Sequence, residues 1–165
     1  MVLLFQAVVL SIIQGITEWF PVSSSGHLAL LSNLISKPDL FFFTSLHLAS
    51  LLAVLIFLRK EIFSLISFKK ETRKLWVYWI IGTIPAAIFG FFFHELVENA
   101  FSSLLFLGTA FIFNASVLFL TKFSKSRTSL NIKNVLFIGI MQILALFPGI
   151  SRSGMTISTA LISGV

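Results

Sequence analysis

The chain has 165 residues, of which 57% are hydrophobic and only 11% are charged. A soluble domain of this length needs far less apolar side chain for one core, so we predict an all-α integral membrane protein that crosses the cell membrane several times. The net charge is +6, but the basic residues gather in short stretches between apolar runs. That pattern is typical of cytoplasmic loops and argues against nucleic acid as a partner.

A polar motif interrupts the first apolar stretch, which covers about residues 2–35. The motif, Gln14 to His27, reads QGITEWFPVSSSGH and contains the helix breaker Pro21. The helix before the proline is short for a span, because crossing the ~30 Å hydrocarbon core takes about 20 residues. Ser23 or Ser24 is suited to N-cap a second short helix. We therefore predict a re-entrant helix hairpin, joined by a polar break inside the membrane.

Three apolar runs of span length follow, at about 40–58, 75–93 and 101–120. The loop over 59–74 holds six basic and two acidic residues, and another basic stretch follows the third run. The acidic turn HELVEN, 94–99, separates the second and third runs. The positive-inside bias places both basic loops in the cytoplasm and the acidic turn outside.

The polar motif then occurs a second time. The segment QILALFPGISRSG, 142–154, corresponds to QGITEWFPVSSSG, 14–26, with one extra residue after the proline. Three spans lie between the copies, and because that number is odd, the second copy enters the membrane from the opposite face. This arrangement is the sequence sign of an inverted-topology repeat, whose broken helices form a site between them.

We treat residues 1–165 as a single membrane domain built from these repeats. The first repeat covers 1–122, and 131–165 is the start of the second, inverted repeat. Three spans follow the first motif, but none follows the second. We therefore expect a C-terminally truncated chain with an incomplete second repeat.

Gln14 and Glu18 are four residues apart and therefore share one helix face. A carboxylate beside a carboxamide could help to hold a divalent cation, or could orient a histidine or a water molecule. The alternative is a polar pair that only packs helices together.

Serines 23–25 lie at a predicted helix N-terminus, where unpaired N–H groups and the helix dipole attract anions. Their simpler role is helix capping. A serine close to His27 could instead be a nucleophile, with the histidine as its base or as a general acid. The alternative for His27 is a hydrogen-bonded packing residue. His47, in the first span, is expected to be a packing residue, and its alternative is a supporting role near the same region.

Arg152 lies in an apolar helix of the second motif, where a charged side chain costs at least ~2.5 kcal/mol. It therefore needs an anion, and its planar guanidinium suits bidentate capture of phosphate. Ser151, Ser153 and Thr156 add hydroxyl groups around the same helix start. The alternative is a structural ion pair with Glu18. A phosphate site within the membrane indicates a lipid phosphate.

Together, QGITEWFPVSSSGH and PGISRSGMT strongly resemble the two signature motifs of the undecaprenyl-diphosphate phosphatases, the bacitracin-resistance membrane phosphatases. The resemblance implies a hydrolase that depends on Mg2+ or Ca2+ and converts undecaprenyl diphosphate to the monophosphate and inorganic phosphate. This reaction recycles the lipid carrier of cell-wall synthesis. The family also places the site towards the outer face of the membrane.

The resemblance assigns roles residue by residue. It implies that Gln14 and Glu18 bind the metal, although the family often has Glu where this chain has Gln14. It implies four catalytic residues: Glu18, Ser24, His27 and Arg152. Among them, Ser24 would be the nucleophile or a phosphate ligand, and His27 the acid or base. It implies that the substrate is bound by hydroxyl groups and the guanidinium: Ser23, Ser25, Ser151, Arg152, Ser153 and Thr156.

Two other functions fit the same residues. A carrier or flippase for polyprenyl phosphate would use inverted repeats with broken helices, and it would need Arg152 but no reactive Ser24 or His27. An inactive fragment of the phosphatase would keep the motifs without the activity. Because the family continues with further spans, an active chain of this length would need a homodimer or the missing C-terminal half to close its pocket.

Overall fold

The computed structural model describes residues 4–35, 40–66, 72–125 and 128–165, which form helices and turns but no strand. The helices in chain order are α1 (Leu4–Trp19), α2 (Ser24–Ile35), α3 (Leu40–Phe57), α4 (Arg59–Ile66), α5 (Arg73–Phe92), α6 (His94–Ala100), α7 (Leu104–Leu120), α8 (Ile132–Leu144) and α9 (Arg152–Ile162). The prediction of an all-α fold is confirmed.

Two of the described helices are long and apolar enough to cross a membrane. They are α5 and the segment Leu104–Phe123, which joins α7 to a 3-10 turn. In the most apolar 18 residues of each helix, only 6% and 22% are buried within the protein. So much continuous apolar surface is unfavourable in water. Helices α3 and α4 make a third candidate if they form one span, although they are bent by 79°. The chain is therefore a membrane protein.

Two segments predicted as irregular are helical instead. The prediction of a loop over 59–74 is wrong for Arg59–Ile66, which forms α4, while residues 67–71 lie outside the described residues. Ile62, Leu65 and Ile66 recur at helical spacing in α4 and line a cavity. The acidic turn is also helical, as α6, where Glu95 lies in the first turn. A carboxylate at that position is favourable to the helix dipole.

Two apolar clusters hold the helices together. Leu10, Leu28 and Leu46 join α1, α2 and α3. Ala110, Ile150 and Met155 join α7 to α9 and to the segment before α9. Helix α5 packs against α8, and α2 contacts α7. Helix α7 also contacts α9, so it holds the two polar motifs close to each other.

The helix breaks of the two motifs touch each other directly. After Pro21 the chain turns at Ser23, whose φ is 66°, and after Pro148 it turns at Gly149, whose φ is 91°. A Cβ atom added to Gly26 would lie 2.6 Å from the Gly149 backbone nitrogen. The absence of a side chain at Gly26 therefore allows this contact, and it brings the first turn of α2 against the break that precedes α9.

Candidate active site

The two helix breaks share one capping hydrogen bond, although Ser23 has a φ of 66° and Ser151 a φ of −80°. The hydroxyl of Ser23 accepts a hydrogen bond from the Gly26 N–H at 3.2 Å, and that of Ser151 accepts one from the Gly154 N–H at 3.1 Å. The Ser23 hydroxyl also accepts a hydrogen bond from the Gly149 N–H at 3.1 Å. Both serines are only 4% exposed. Ser23, rather than Ser24, therefore caps α2, and its hydroxyl links the two breaks.

Ser24 lies beside a carboxylate. Its hydroxyl donates a hydrogen bond to Glu18 Oε2 at 2.5 Å, which is within the range of charge-assisted O–H···O⁻ bonds. The Gln14 Nε2 group donates to the same carboxylate oxygen at 3.0 Å. Gln14 is 2% exposed, so the glutamate is held from a buried position. This arrangement provides a hydroxyl group with a proton acceptor already in contact.

His27 is placed differently from the predicted Ser24–His27 pair. Its Nδ1 lies 2.8 Å from the carbonyl oxygen of Ser23, and its ring packs edge-to-face on Phe111 of α7, with 5.1 Å between ring centroids. The hydrogen bonds of the described residues connect Ser24 to Glu18 and not to His27. The contact with the Ser23 carbonyl follows from the helix, because His27 lies one turn after Ser23.

Arg152 is the exposed cation of the second motif. Among the described residues, no carboxylate oxygen lies within 4.0 Å of its guanidinium, so the alternative of an ion pair with Glu18 is not formed. The Ser153 hydroxyl is exposed and lies 3.2 Å from that of Ser151. The Thr156 hydroxyl donates to the carbonyl oxygens of Arg152 and Ser153 at 3.0 and 3.1 Å. The guanidinium and the N-terminus of α9 together suit an anion.

One cavity of about 1450 Å³ brings the two motifs together. The predicted site residues that line it are Glu18, Ser23, Ser24, Ser25, Ser151, Arg152, Ser153 and Thr156. His47 of α3 also lines the cavity, and its Nδ1 lies 2.9 Å from the Phe43 carbonyl oxygen. Gln14 and His27 are not among the lining residues. The cavity therefore joins a carboxylate, several hydroxyls and a guanidinium.

The same cavity has an extensive apolar wall. Aromatic and aliphatic side chains from α3, α4 and α5 line it, among them Phe43, Ile62, Leu65, Trp76 and Trp79. The cavity therefore combines anion-binding chemistry with a surface that suits a hydrocarbon chain. A lipid with a phosphorylated headgroup presents both features.

The sequence reasoning missed two polar residues that support the site. The Ser50 hydroxyl of α3 accepts a hydrogen bond from Gln14 Nε2 at 3.3 Å. Asn114 of α7 is 4% exposed and hydrogen-bonded to both motifs. A lone carboxamide in an apolar span is a signal that could have revealed Asn114. Ser50 has no comparable signal, because serines are common in membrane helices.

Glu18 and Gln14, the two predicted metal ligands, both carry side-chain oxygens, and of the two only Glu18 lines the cavity. Gln14 Oε1 is a buried oxygen with no hydrogen-bond partner in the described part of the chain, and Glu18 supplies a carboxylate. Among the described residues, no three His, Cys, Asp or Glu side chains group together as a metal site. Such a small protein donor set fits Mg2+, which commonly keeps water molecules and binds through one or two carboxylates together with substrate phosphates.

The chain is similar to known proteins over nearly its whole length. The chain is 39% identical over 175 residues to an undecaprenyl-diphosphatase of Korarchaeum cryptofilum, covering 97% of this chain and 67% of the relative. It is 44% identical over 166 residues to that of Thermosipho africanus, covering 96% and 67%. The chain thus spans about two thirds of the length of these curated relatives. The family model described as bacitracin resistance protein BacA matches residues 7–165, so the chain belongs to the BacA family of bacitracin resistance proteins.

Proposed function

We propose that this chain hydrolyses undecaprenyl diphosphate to undecaprenyl phosphate and inorganic phosphate. The observation that carries the proposal is the Ser24–Glu18 hydrogen bond of 2.5 Å, at the edge of a cavity that Arg152 also lines. The relatives' shared name, undecaprenyl-diphosphatase, supports this choice of substrate. The activity would recycle a lipid carrier of cell-envelope synthesis and would account for bacitracin resistance.

The site residues divide the work of the reaction. The Ser24 hydroxyl attacks the terminal phosphorus while Glu18 takes its proton. Arg152 binds the phosphate oxygens and stabilises the charge that develops on them in the transition state. Undecaprenyl phosphate leaves with that proton, passed on by Glu18, when the bridging P–O bond breaks. The regenerated carboxylate then takes a proton from water, the hydroxide attacks the phosphoserine, and inorganic phosphate leaves as the proton returns to the Ser24 oxygen.

We propose Mg2+ as the cofactor, and Ca2+ as the alternative. Glu18 and Gln14 would hold the cation, and it would neutralise charge on the diphosphate. The carboxylate then has two functions, as metal ligand and as proton acceptor. Gln14 holds the carboxylate in place through its hydrogen bond to Glu18, and its buried Oε1 has no hydrogen-bond partner among the described residues.

We further propose a multi-pass arrangement in the cell membrane, in which α1–α2 and α8–α9 are re-entrant hairpins of an inverted repeat. The matching capping hydrogen bonds, from Gly26 to Ser23 and from Gly154 to Ser151, support the repeat. The prenyl tail of the substrate would lie against the apolar wall, between α4 and α5. The diphosphate would then remain at the two helix breaks.

A polyprenyl-phosphate carrier is the second candidate, and it is not favoured. Transport would use Arg152 and the helix termini, but it gives no reason for a serine hydroxyl held against a carboxylate. The relatives are also named for a hydrolase. An inactive fragment is distinguished from both candidates by the activity measurement alone.

The test is release of inorganic phosphate from undecaprenyl diphosphate by the purified chain in detergent, with Mg2+, with Ca2+ and with EDTA. We expect metal-dependent release that Ser24→Ala abolishes. Ser11→Ala is the matched control, because Ser11 lies on α1 and its hydroxyl donates to the Ala7 carbonyl outside the cavity. Acid quenching with substrate labelled at the terminal phosphate should leave label on the wild-type chain and none on Ser24→Ala.

Three outcomes would change the proposal. No release from a folded wild-type chain would contradict a hydrolytic activity for this chain. Full activity in Ser24→Ala would exclude serine attack. Release without trapped label, with Ser24→Ala inactive, would assign the attack to a water molecule and leave Ser24 as a phosphate ligand.

A further inference from the structure

Asn114 is a buried polar residue in the middle of an apolar helix. It lies in α7, within the sequence FIFNASV, and is 4% exposed. Neither the cavity lining nor the reaction proposed above uses it. A carboxamide at this depth is costly unless its donor and its acceptor are both satisfied.

Both ends of the Asn114 carboxamide are hydrogen-bonded to the helix breaks. Its Nδ2 donates to the Pro21 carbonyl oxygen at 2.9 Å, and its Oδ1 accepts from the Ser151 N–H at 3.0 Å. The first partner lies three residues before Ser24, and the second lies one residue before Arg152. A single side chain on a third element therefore connects the two motifs.

The two backbone groups need such a partner because the helices are broken there. Pro21 follows the end of α1, so its carbonyl lies outside the hydrogen bonds of that helix. Ser151 is the N-cap of α9, and its N–H lies before the first helical turn. One carboxamide offers a donor and an acceptor together, and an aliphatic side chain offers neither.

We propose that Asn114 is a positioning residue that sets the register of the Glu18–Ser24 pair against the Arg152 helix start. The inference rests on the proposed function for its kinetic consequence, but not for its geometry. The Ser23 hydroxyl makes a second link between the breaks, through the Gly149 N–H. Loss of Asn114 should therefore shift the two motifs relative to each other without separating them.

The first measurement is the distance between the two motifs. The chain has no cysteine, so spin labels can be attached at Leu30→Cys on α2 and Leu161→Cys on α9, two exposed positions outside the cavity lining. We expect a narrow distance distribution in the otherwise wild-type chain. Asn114→Leu should broaden or shift it, whereas Ser116→Ala, an exposed serine of the same helix, should not.

The second measurement separates kcat from KM in the phosphate-release assay. A displaced Arg152 binds the diphosphate less well, so Asn114→Leu should raise KM as well as lower kcat. We expect kcat/KM to fall about 100-fold, the size that a small misplacement of reacting groups produces. A variant that is only partly folded would lower the apparent kcat and leave KM unchanged.

The outcomes are distinct. An unchanged distance distribution overturns the proposal, whatever the activity, and so does a fall in kcat with an unchanged KM. If Asn114→Leu does not fold, Asn114→Ala, which adds no bulk, is measured in the same way. Failure of both to fold would show that Asn114 is needed for folding rather than for register, and would also overturn the proposal. A wild-type chain without phosphatase activity would refute the proposed function, while the distance measurement would still decide the role of Asn114.

Discussion

At the scale of single residues, the chemistry depends on which groups already have partners. The Ser23 and Ser151 hydroxyls are occupied by backbone N–H groups, so we expect them to shape the site. Ser24 and Arg152 face the cavity. The Ser24 hydroxyl is paired with the carboxylate of Glu18.

Arg152→Ala should lower kcat/KM for undecaprenyl diphosphate by about 10²- to 10³-fold, because one charge-stabilising donor group is lost from the transition state. Arg152→Lys should recover part of the activity, since an ammonium keeps the charge but not the bidentate geometry. Phosphate release measures both variants. Arg59→Ala, at an exposed arginine of α4, is the control and should retain activity. Equal activity in Arg152→Ala and Arg59→Ala would refute the phosphate-binding role.

Glu18→Gln should lower kcat by about 10²- to 10⁴-fold, because the carboxamide has the same shape but cannot take the Ser24 proton. Single-turnover phosphate release measures this step directly. Glu95→Gln, an exposed glutamate of α6, provides the matched control. Ser25→Ala should lose less activity than Glu18→Gln, because Ser25 contacts the Ser23 hydroxyl and not the carboxylate. A fully active Glu18→Gln variant would remove the proton acceptor from the mechanism.

The acid-base role of His27 stays a prediction. Its Nδ1 lies against the Ser23 carbonyl oxygen, which favours support of the helix break instead. A pH–rate profile of His27→Gln decides between the two roles. Loss of one limb of the wild-type profile would indicate an acid or a base, whereas a uniform reduction at every pH would indicate support of the break.

At the scale of helices, the site depends on two breaks that approach closely. Gly149 has φ 91°, and a Cβ atom there would lie 2.8 Å from the Ala110 Cβ of α7. A Cβ atom added to Gly108, on the same helix as Ala110, would have no described atom within 4 Å. The two glycines therefore differ in what an added methyl group would meet.

Gly149→Ala should destabilise the protein by about 1–3 kcal/mol, through steric overlap and through backbone strain at positive φ. Gly108→Ala should be neutral or slightly stabilising, since alanine favours a helix interior. Thermal unfolding in detergent, followed by circular dichroism, measures both. A Gly149→Ala variant as stable as Gly108→Ala would contradict the close packing of the second break on α7.

At the scale of the whole molecule, apolar surface dominates the described helices and requires a lipid environment. The proposed inverted repeat makes a definite topological prediction. Ser102→Cys, in the exposed turn before α7, should react with an impermeant thiol reagent from outside intact cells, and Lys125→Cys should react only after permeabilisation.

A re-entrant α1–α2 hairpin further requires that Phe5→Cys and Asn33→Cys react from the same side. Labelling of those two from opposite sides would show that α1–α2 crosses the membrane.

Completion of the cavity by a second copy also stays a prediction. Light scattering of the chain in detergent, corrected for bound detergent, would distinguish one copy from two. We expect activity to follow the dimer fraction on dilution if a partner copy closes the site. Activity that is independent of dilution would contradict this requirement.

Features that depend on local chemistry could be predicted from the amino-acid sequence. Composition predicts a helical membrane protein, because apolar runs with few charges suit lipid. Pro21 and Pro148 predict the helix breaks, because proline removes a backbone donor. Helix α4 was not predicted, because its basic residues are typical of a loop. Its apolar residues Ile62, Leu65 and Ile66 repeat over too short a segment to indicate a helix.

Which polar groups meet could be learned from the three-dimensional fold alone. The fold pairs Ser24 with Glu18, turns His27 towards Phe111, and places Asn114 between Pro21 and Ser151. Asn114 lies 93 residues after Pro21 in the chain, so no local pattern relates them. Their contact arises because α2 and α9 both pack against α7, and the carboxamide there satisfies two backbone groups that the breaks leave without helical partners.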